Sequence, residues 1–520
     1  LISGSRVRIP KGVQEGFPHM RKSFFFCFFS YLFYRIIRLF CVSLHIMKRT
    51  HYKLYIIVAL LLISTTMLAY SSGVGLISYP GGKCYMFRVT LRDKNGTPFS
   101  LDKPDRFLSK ASILRRERQG LKLDSTDLPV SPVYLQQIKK RGCKVVAISK
   151  WNNSVLVRGD NRQTLEDLKV LSFVKDSKLV FTSPDSIRPL SQRVHYNSEL
   201  QTLDSSAHDY YGMGKEQIEN LNGRKLHNLG FMGQGITIAV LDAGFMNVDK
   251  MPAFKNLSLK GTRNFVAGSK DDVFKEMDHG TKTLSTIAMN QPTLFVGTAP
   301  KADFWLLRTE DYLTESPAEE DYWIAAVEFS DSVGVDIISS SLGYHGFDDK
   351  TLNYCYSDLN GKTAAISQVA SRLADKGMIL VNSAGNDGMG TWKKVNVPAD
   401  AYNILTVGAV SPDKINAPFS SIGPTADGRI KPDVMAYGCP TNVVSGRGYI
   451  IPDNGTSFAC PLIAGMVACL WQAAPNKSAS EIISIVRQAG SNCQSPDNIM
   501  GYGIPDFWLA YQAATRYSEK

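Results

Sequence analysis

The run Ile236-Thr237-Ile238-Ala239-Val240-Leu241 is apolar on both faces of a strand and ends at Asp242-Ala243-Gly244. A strand buried on both faces belongs in a parallel sheet covered by helices above and below. This constrains the chain to an α/β fold. It also puts Asp242 at the C-terminal end of the strand, where open α/β sheets form their ligand crevice. Met378 to Asn382 is a second such run, followed by Ser383-Ala384-Gly385-Asn386-Asp387. An amide side chain after a Gly at a strand end can point a donor at developing negative charge.

Two helix starts complete the set. Asp278-His279-Gly280-Thr281 leads into helix-compatible residues up to Ala288, so His279 is expected at or near a helix N-terminus. Gly280 would let backbone come close, and Thr281 would bond locally. Asn454-Gly455-Thr456-Ser457-Phe458-Ala459-Cys460-Pro461 brings a Ser to the head of an apolar helix running to Ala474. Pro461 is expected in a first turn, where its missing N–H bonds nothing. Ser457 would then lie in the positive field of the helix N-terminus. Taken singly, each residue has a plainer reading: Asp242 as a turn cap, His279 as a surface residue, Ser457 as an N-cap.

Together the segments resemble the subtilisin family of serine peptidases. The resemblance rests on the strand ending in Asp242, on His279-Gly280-Thr281, and on Gly455-Thr456-Ser457-Phe458-Ala459 with Pro461. It extends to Ser383-Ala384-Gly385-Asn386, Gly297-Thr298-Ala299-Pro300 and Ser340-Ser341-Leu342-Gly343, and covers about residues 212–511. It implies a three-layer fold, with a central, mostly parallel sheet and helices on both faces, preceded by a small α+β propeptide domain. It implies an endopeptidase working through an acyl-enzyme, with Asp242, His279 and Ser457 as catalytic residues and Asn386 in the oxyanion hole. Ser341, Leu342 and Gly343 would bind extended polypeptide substrates. Lys282, Phe458 and Leu462 depart from the residues common in the family without removing a catalytic group. A catalytically inactive binding protein on the same fold is the alternative. An α/β-hydrolase is excluded by the Asp-His-Ser order and by Ala459 where a nucleophile elbow needs Gly.

The net charge of +12 is unevenly spread. Residues 1–53 carry +9, residues 69–206 carry +10 and residues 207–520 carry −7. A nucleic-acid partner is therefore not expected. The basic middle part is instead read as the electrostatic complement of the acidic C-terminal part. In that middle part, strands are expected at Tyr85–Leu91, Lys144–Ser149, Ser154–Val157 and Val174–Phe181. Helices are expected at Phe107–Arg118, Ser131–Arg141 with a Ser cap, and Asn161–Leu171. Leu128-Pro129-Val130-Ser131-Pro132 and Lys150-Trp151-Asn152-Asn153-Ser154-Val155 resemble propeptides of family members from gut-type bacteria.

Met47-Lys48-Arg49, the apolar run Leu54 to Met67 and the small-residue exit around Ala69 and Ser71 read as a secretory signal too short for a stable membrane anchor. The expected organisation is upstream translated sequence at 1–46, signal at 47–72, propeptide at 73–183, exposed linker with the processing site at 184–206, and peptidase at 207–520. The product is expected to be exported and to act as a monomer with its own propeptide as partner. No cofactor is required. No CxxC pair supports zinc. Asp271-Asp272 and Asp348-Asp349 lack calcium-loop spacing, so a calcium site is left open and unassigned. Cys460 and Cys469 are expected as buried free thiols.

Overall fold

The structure, a computed structural model, describes residues 77–79, 82–187, 209–268 and 272–516. The expected signal and most of the expected linker lie outside the described residues.

The basic middle part comprises β1 (Tyr85–Leu91), α1 (Lys110–Arg118), α2 (Pro132–Lys140), β2 (Lys144–Ser149), β3 (Ser154–Gly159), α3 (Arg162–Glu166) and β4 (Val174–Thr182). Its strands form one antiparallel sheet in the order β2-β3-β1-β4. α1 starts later than expected because Pro104–Arg106 form a separate 3-10 turn and the Ser109 hydroxyl caps Ser112 N–H. α2 follows Ser131 with Pro132 first, but the Ser131 hydroxyl is buried and makes no cap bond. α3 tightens into 3-10 geometry over Asp167–Val170. The expected linker begins as ordered structure. Ser183 is buried and accepts from the Cys84 N–H at 2.9 Å, and Ser186–Ile187 pair with Ile77–Ser78.

The acidic part is a doubly covered sheet. Its strands are β5 (Thr237–Asp242), β6 (Ser258–Asn264), β7 (Asp303–Arg308), β8 (Ile337–Ser340), β9 (Ile379–Ser383), β10 (Leu405–Val410) and β11 (Val434–Tyr437). They lie in the order β11-β10-β9-β8-β5-β7-β6, every neighbour parallel. Ile238, Val240, Phe304 and Leu306 face α4 (His279–Ala288), α7 (Thr456–Ala473), α8 (Ala479–Gln488) and α9 (Phe507–Thr515). Ala239, Leu241 and Leu307 face α5 (Ala318–Val333) and α6 (Ala365–Ala370). Alternation along each strand thus fills two cores.

The charge complement becomes contact along α5. Its Asp331 is fully buried and meets Arg115 at 2.5 Å, Arg116 at 2.8 Å and Lys150 at 2.8 Å. Burial alone would raise the Asp331 carboxyl, but the three cations outweigh it and hold it well below the usual carboxylate range. Glu328 accepts from the Ser149 hydroxyl and the Lys150 N–H at 2.6 Å, and from the Trp151 N–H at 3.1 Å. Arg88 pairs with Asp321 at 2.7 Å and Glu320 at 3.2 Å, and donates to the Pro317 carbonyl. Apolar burial supports the same contact. Trp151 joins the core under α5, while Met86 and Phe181 pack with Ala318 and Tyr322. Area burial contributes roughly 25 cal/mol per Å², whereas buried ion pairs barely offset their own desolvation. The apolar contacts therefore favour adhesion, while the ion pairs mainly set the orientation of the two parts.

Replacing Asp331 with Ala would leave the buried Arg115 and Lys150 without their carboxylate, while Arg116 keeps Asp127 at 3.1 Å. A loss of about 3–5 kcal/mol is expected in equilibrium denaturation of the full chain. An unchanged midpoint would mean the cations find other partners.

Candidate active site

β5 delivers Asp242 to the sheet's C-terminal edge with no exposed surface. A charge buried there needs donors, and it has three. The Ala243 N–H donates to Oδ1 at 2.8 Å, His279 Nδ1 donates to the same oxygen at 2.8 Å, and the Thr283 hydroxyl donates to Oδ2 at 3.1 Å. Because a carboxylate only accepts, the second bond puts the proton on Nδ1 of a neutral imidazole and leaves Nε2 as its acceptor.

His279 is the first residue of α4. Two glycines allow the helix start to press on the end of β5. Gly280 N–H donates to Gly244 O at 3.0 Å, and a Cβ on Gly280 would come within 2.5 Å of that oxygen. The Thr281 hydroxyl donates to Met246 O at 2.9 Å, a bond to a distant segment rather than the local one expected. Burial is the largest influence on the imidazole and lowers its pKa. The Asp242 carboxylate outweighs it, so the pKa lies above the ordinary value, while Lys282 pulls down. Lys282 is itself held by Asp453 at 3.0 Å and lies 3.8 Å from Asp278.

Ser457 is the second residue of α7, with Gly455 at the cap position, so it is not the N-cap. Its N–H belongs to the first turn, where helix donors have no intrahelical acceptor. Its hydroxyl donates to Ser341 O at 3.5 Å, and no bond to His279 is formed among the described residues. Pro461 departs from expectation: it is the sixth residue of α7, in the second turn. There a Pro removes the bond to the carbonyl four residues back, which is that of Ser457. The Ser341 hydroxyl takes that carbonyl instead, at 2.8 Å. The helix defect therefore ties the Ser457 backbone to the segment Ser341-Leu342-Gly343.

That segment follows β8. Asn382 Nδ2 donates to Leu342 O at 3.1 Å, and Tyr344 exchanges backbone bonds with Val397. Gly343 N–H and C=O have no partner among the described residues. Asn386 follows β9 and is exposed; its Oδ1 accepts from the Thr456 N–H at 2.9 Å and the Thr456 hydroxyl at 3.0 Å. With the oxygen engaged, the NH2 group is the free end, and it donates to nothing among the described residues. Asp242, His279, Ser457, Asn386 and Ser341–Gly343 thus converge at the ends of β5, β8 and β9 and the starts of α4 and α7.

Thr283 and Thr456 were not singled out in the sequence. Thr283 lies one helical turn after His279 and so on the same face, a signal that was available. Thr456 needed the contact between α7 and the end of β9. Among the described residues no group of three or more His, Cys, Asp or Glu could hold a metal ion. Asp348 accepts from Glu315 N–H and Asp349 caps Thr351. Cys460 and Cys469 are buried free thiols, as expected.

Comparison with known proteins gives the chain's family. Residues 233–503 match a family described as the subtilase family, and residues 86–199 match the peptidase S8 propeptide domain of Bacteroidota. Subtilisin NAT of Bacillus subtilis subsp. natto is 25% identical over 347 residues, covering 66% of this chain and 77% of that protein. Subtilisin of Bacillus pumilus is 27% identical over 267 residues, covering 51% and 87%. Alkaline elastase YaB of Bacillus sp. is 28% identical over 266 residues, covering 51% and 61%.

Replacing Lys282 with Met removes a cation beside His279. The imidazole pKa should rise further, as read by NMR titration of the ring; a fall would contradict the charge balance drawn here.

Proposed function

Since the chain belongs to the subtilase family and is a serine endopeptidase with its own propeptide, we propose that Asp242, His279 and Ser457 are its catalytic triad. Ser457 Oγ attacks the scissile carbonyl. His279 Nε2 takes the proton as the acyl-enzyme forms and delivers it to the leaving amine. Water then hydrolyses the ester with His279 again as base. Asp242 holds the tautomer and stabilises the imidazolium. The observation that carries this reading is the 2.8 Å bond between Asp242 and His279 Nδ1, which leaves Nε2 free to act. The missing bond from His279 to Ser457 is compatible with it, since such bonds are often loose until substrate binds.

Asn386 Nδ2 and the Ser457 N–H are the proposed oxyanion donors; the anchoring of Asn386 Oδ1 on Thr456 supports this. The unpaired Gly343 backbone supports an extended substrate adding a strand beside Ser341-Leu342-Gly343. The reaction so drawn uses no cofactor. The segment at 47–72 supports export, and the zymogen is proposed to mature by cleavage within 184–206.

Ser457→Ala should abolish self-processing, read as a full-length chain on N-terminal sequencing of the product; normal maturation of that variant would end the assignment. For the mature wild type, the general base must be neutral, and its pKa is raised. The acidic limb of the kcat/KM profile should therefore lie above about 6.5, the ordinary His value. A limb below that value would contradict His279 as the base.

A further inference from the structure

Two bonds hold the proposed triad to the sheet, and neither joins base to nucleophile. His279 is bonded to Asp242 on β5, and the Ser457 carbonyl to Ser341 after β8. The helix that carries His279 and the turn that delivers Ser457 are joined elsewhere. Between β11 and α7 the chain folds into a two-stranded antiparallel ribbon, β12 (Thr441–Val444) and β13 (Ile450–Asp453). The ribbon lies against α4. Val444 N–H donates to the Ser285 hydroxyl at 2.9 Å, and Gly446 N–H donates to Asp278 Oδ2 at 2.9 Å. At the end of β13, Asp453 Oδ2 accepts from Lys282 Nζ at 3.0 Å, and Asp453 Oδ1 accepts from the Asn454 N–H at 2.8 Å.

The position of this pair gives it leverage. Lys282 lies about one helical turn after His279 and so on the same face of α4. Asp453 stands just before the short run Asn454-Gly455-Thr456 that leads to Ser457, and Gly455 N–H is itself held by Gly438 O at 2.9 Å. A displacement of Asp453 is therefore passed on to Ser457. Side-chain exposures of 20% for Lys282 and 33% for Asp453 leave the pair little to add to stability, so its effect is geometric.

We propose that Lys282 and Asp453 are positioning residues, and that their ion pair sets the span between the base His279 and the nucleophile Ser457. The inference rests on the triad reading above and goes beyond it. It also gives the pair an electrostatic signature. Burial disfavours the imidazolium and Asp242 on β5 favours it; Lys282 disfavours it and Asp278 favours it. The neighbouring α7 presents the Phe458 ring, 5.8 Å between centroids, and Glu276 before α4 is paired with Arg308 at 2.9 Å. Asp453 on the ribbon is the partner that offsets Lys282.

The test compares mature wild-type enzyme with Lys282→Met, Asp453→Asn, the double variant and Lys282→Arg on one peptide anilide, with kcat counted per fluorophosphonate-labelled site. Lys282→Met and Asp453→Asn should each lower kcat by roughly tenfold, with KM changed less than about twofold. Lys282→Arg should keep kcat within about threefold of wild type. The double variant should lose no more than either single one, whereas independent roles would multiply to about a hundredfold. The acidic limb of the profile should move up in Lys282→Met and down in Asp453→Asn, each by roughly half a pH unit. A wild-type kcat in either single variant, a hundredfold loss in the double one, or limbs that move in the same direction would overturn the pairing and leave the triad reading intact. If Lys282→Met fails to fold, Asp453→Asn decides. Wild-type enzyme that neither cleaves the anilide nor takes up the fluorophosphonate would remove the triad reading, and the pairing with it.

Discussion

A sheet covered by helices on both faces has no room for a charge except where its strands end. Asp242 is such a charge, and its three donors determine what surrounds it. The Ala243 N–H fixes the turn after β5, His279 fixes the ring, and Thr283 fixes how α4 is rotated against the sheet. Gly244 and Gly280 then let two backbones meet at 3.0 Å. On the neighbouring strand the same economy recurs. Pro461 leaves the Ser457 carbonyl without its helical donor, and Ser341 at the end of β8 supplies one. His279 is thus tied to β5 through Asp242, and the Ser457 backbone to the segment after β8 through Ser341.

The propeptide answers a second problem of buried charge. α5 carries Glu320, Asp321, Glu328 and Asp331 with little or no exposure, a pattern no solvated helix needs. Arg88, Arg115, Arg116 and Lys150 satisfy three of these carboxylates, and backbone N–H groups with a Ser hydroxyl satisfy Glu328. Removal of the propeptide would return these groups to water. The buried contact thus orders the young chain without requiring permanence.

The sequence made the sheet, both helix starts and the charge split legible, because each depends on local pattern. Asp242 closes an apolar run, His279 precedes a Gly that only close approach requires, and the basic residues cluster between 69 and 206. The rest depended on contacts between distant segments. Pro461 looks like a first-turn residue until the helix is seen to start at Thr456. Ser131 looks like a cap, yet its hydroxyl is buried without a partner. The contact of Thr456 with Asn386 emerges only where α7 meets the end of β9. Ser183 to Ile187 reads as polar linker because its partners, Cys84 and Ile77–Ser78, lie a hundred residues away.

The central claim is that Ser457 is the nucleophile which Asp242 and His279 make reactive. Mass spectrometry of the mature protein after reaction with a serine-directed fluorophosphonate tests it directly. The account predicts a single adduct, on the peptide containing Ser457. An adduct on another serine, or none on fully mature protein, would contradict it.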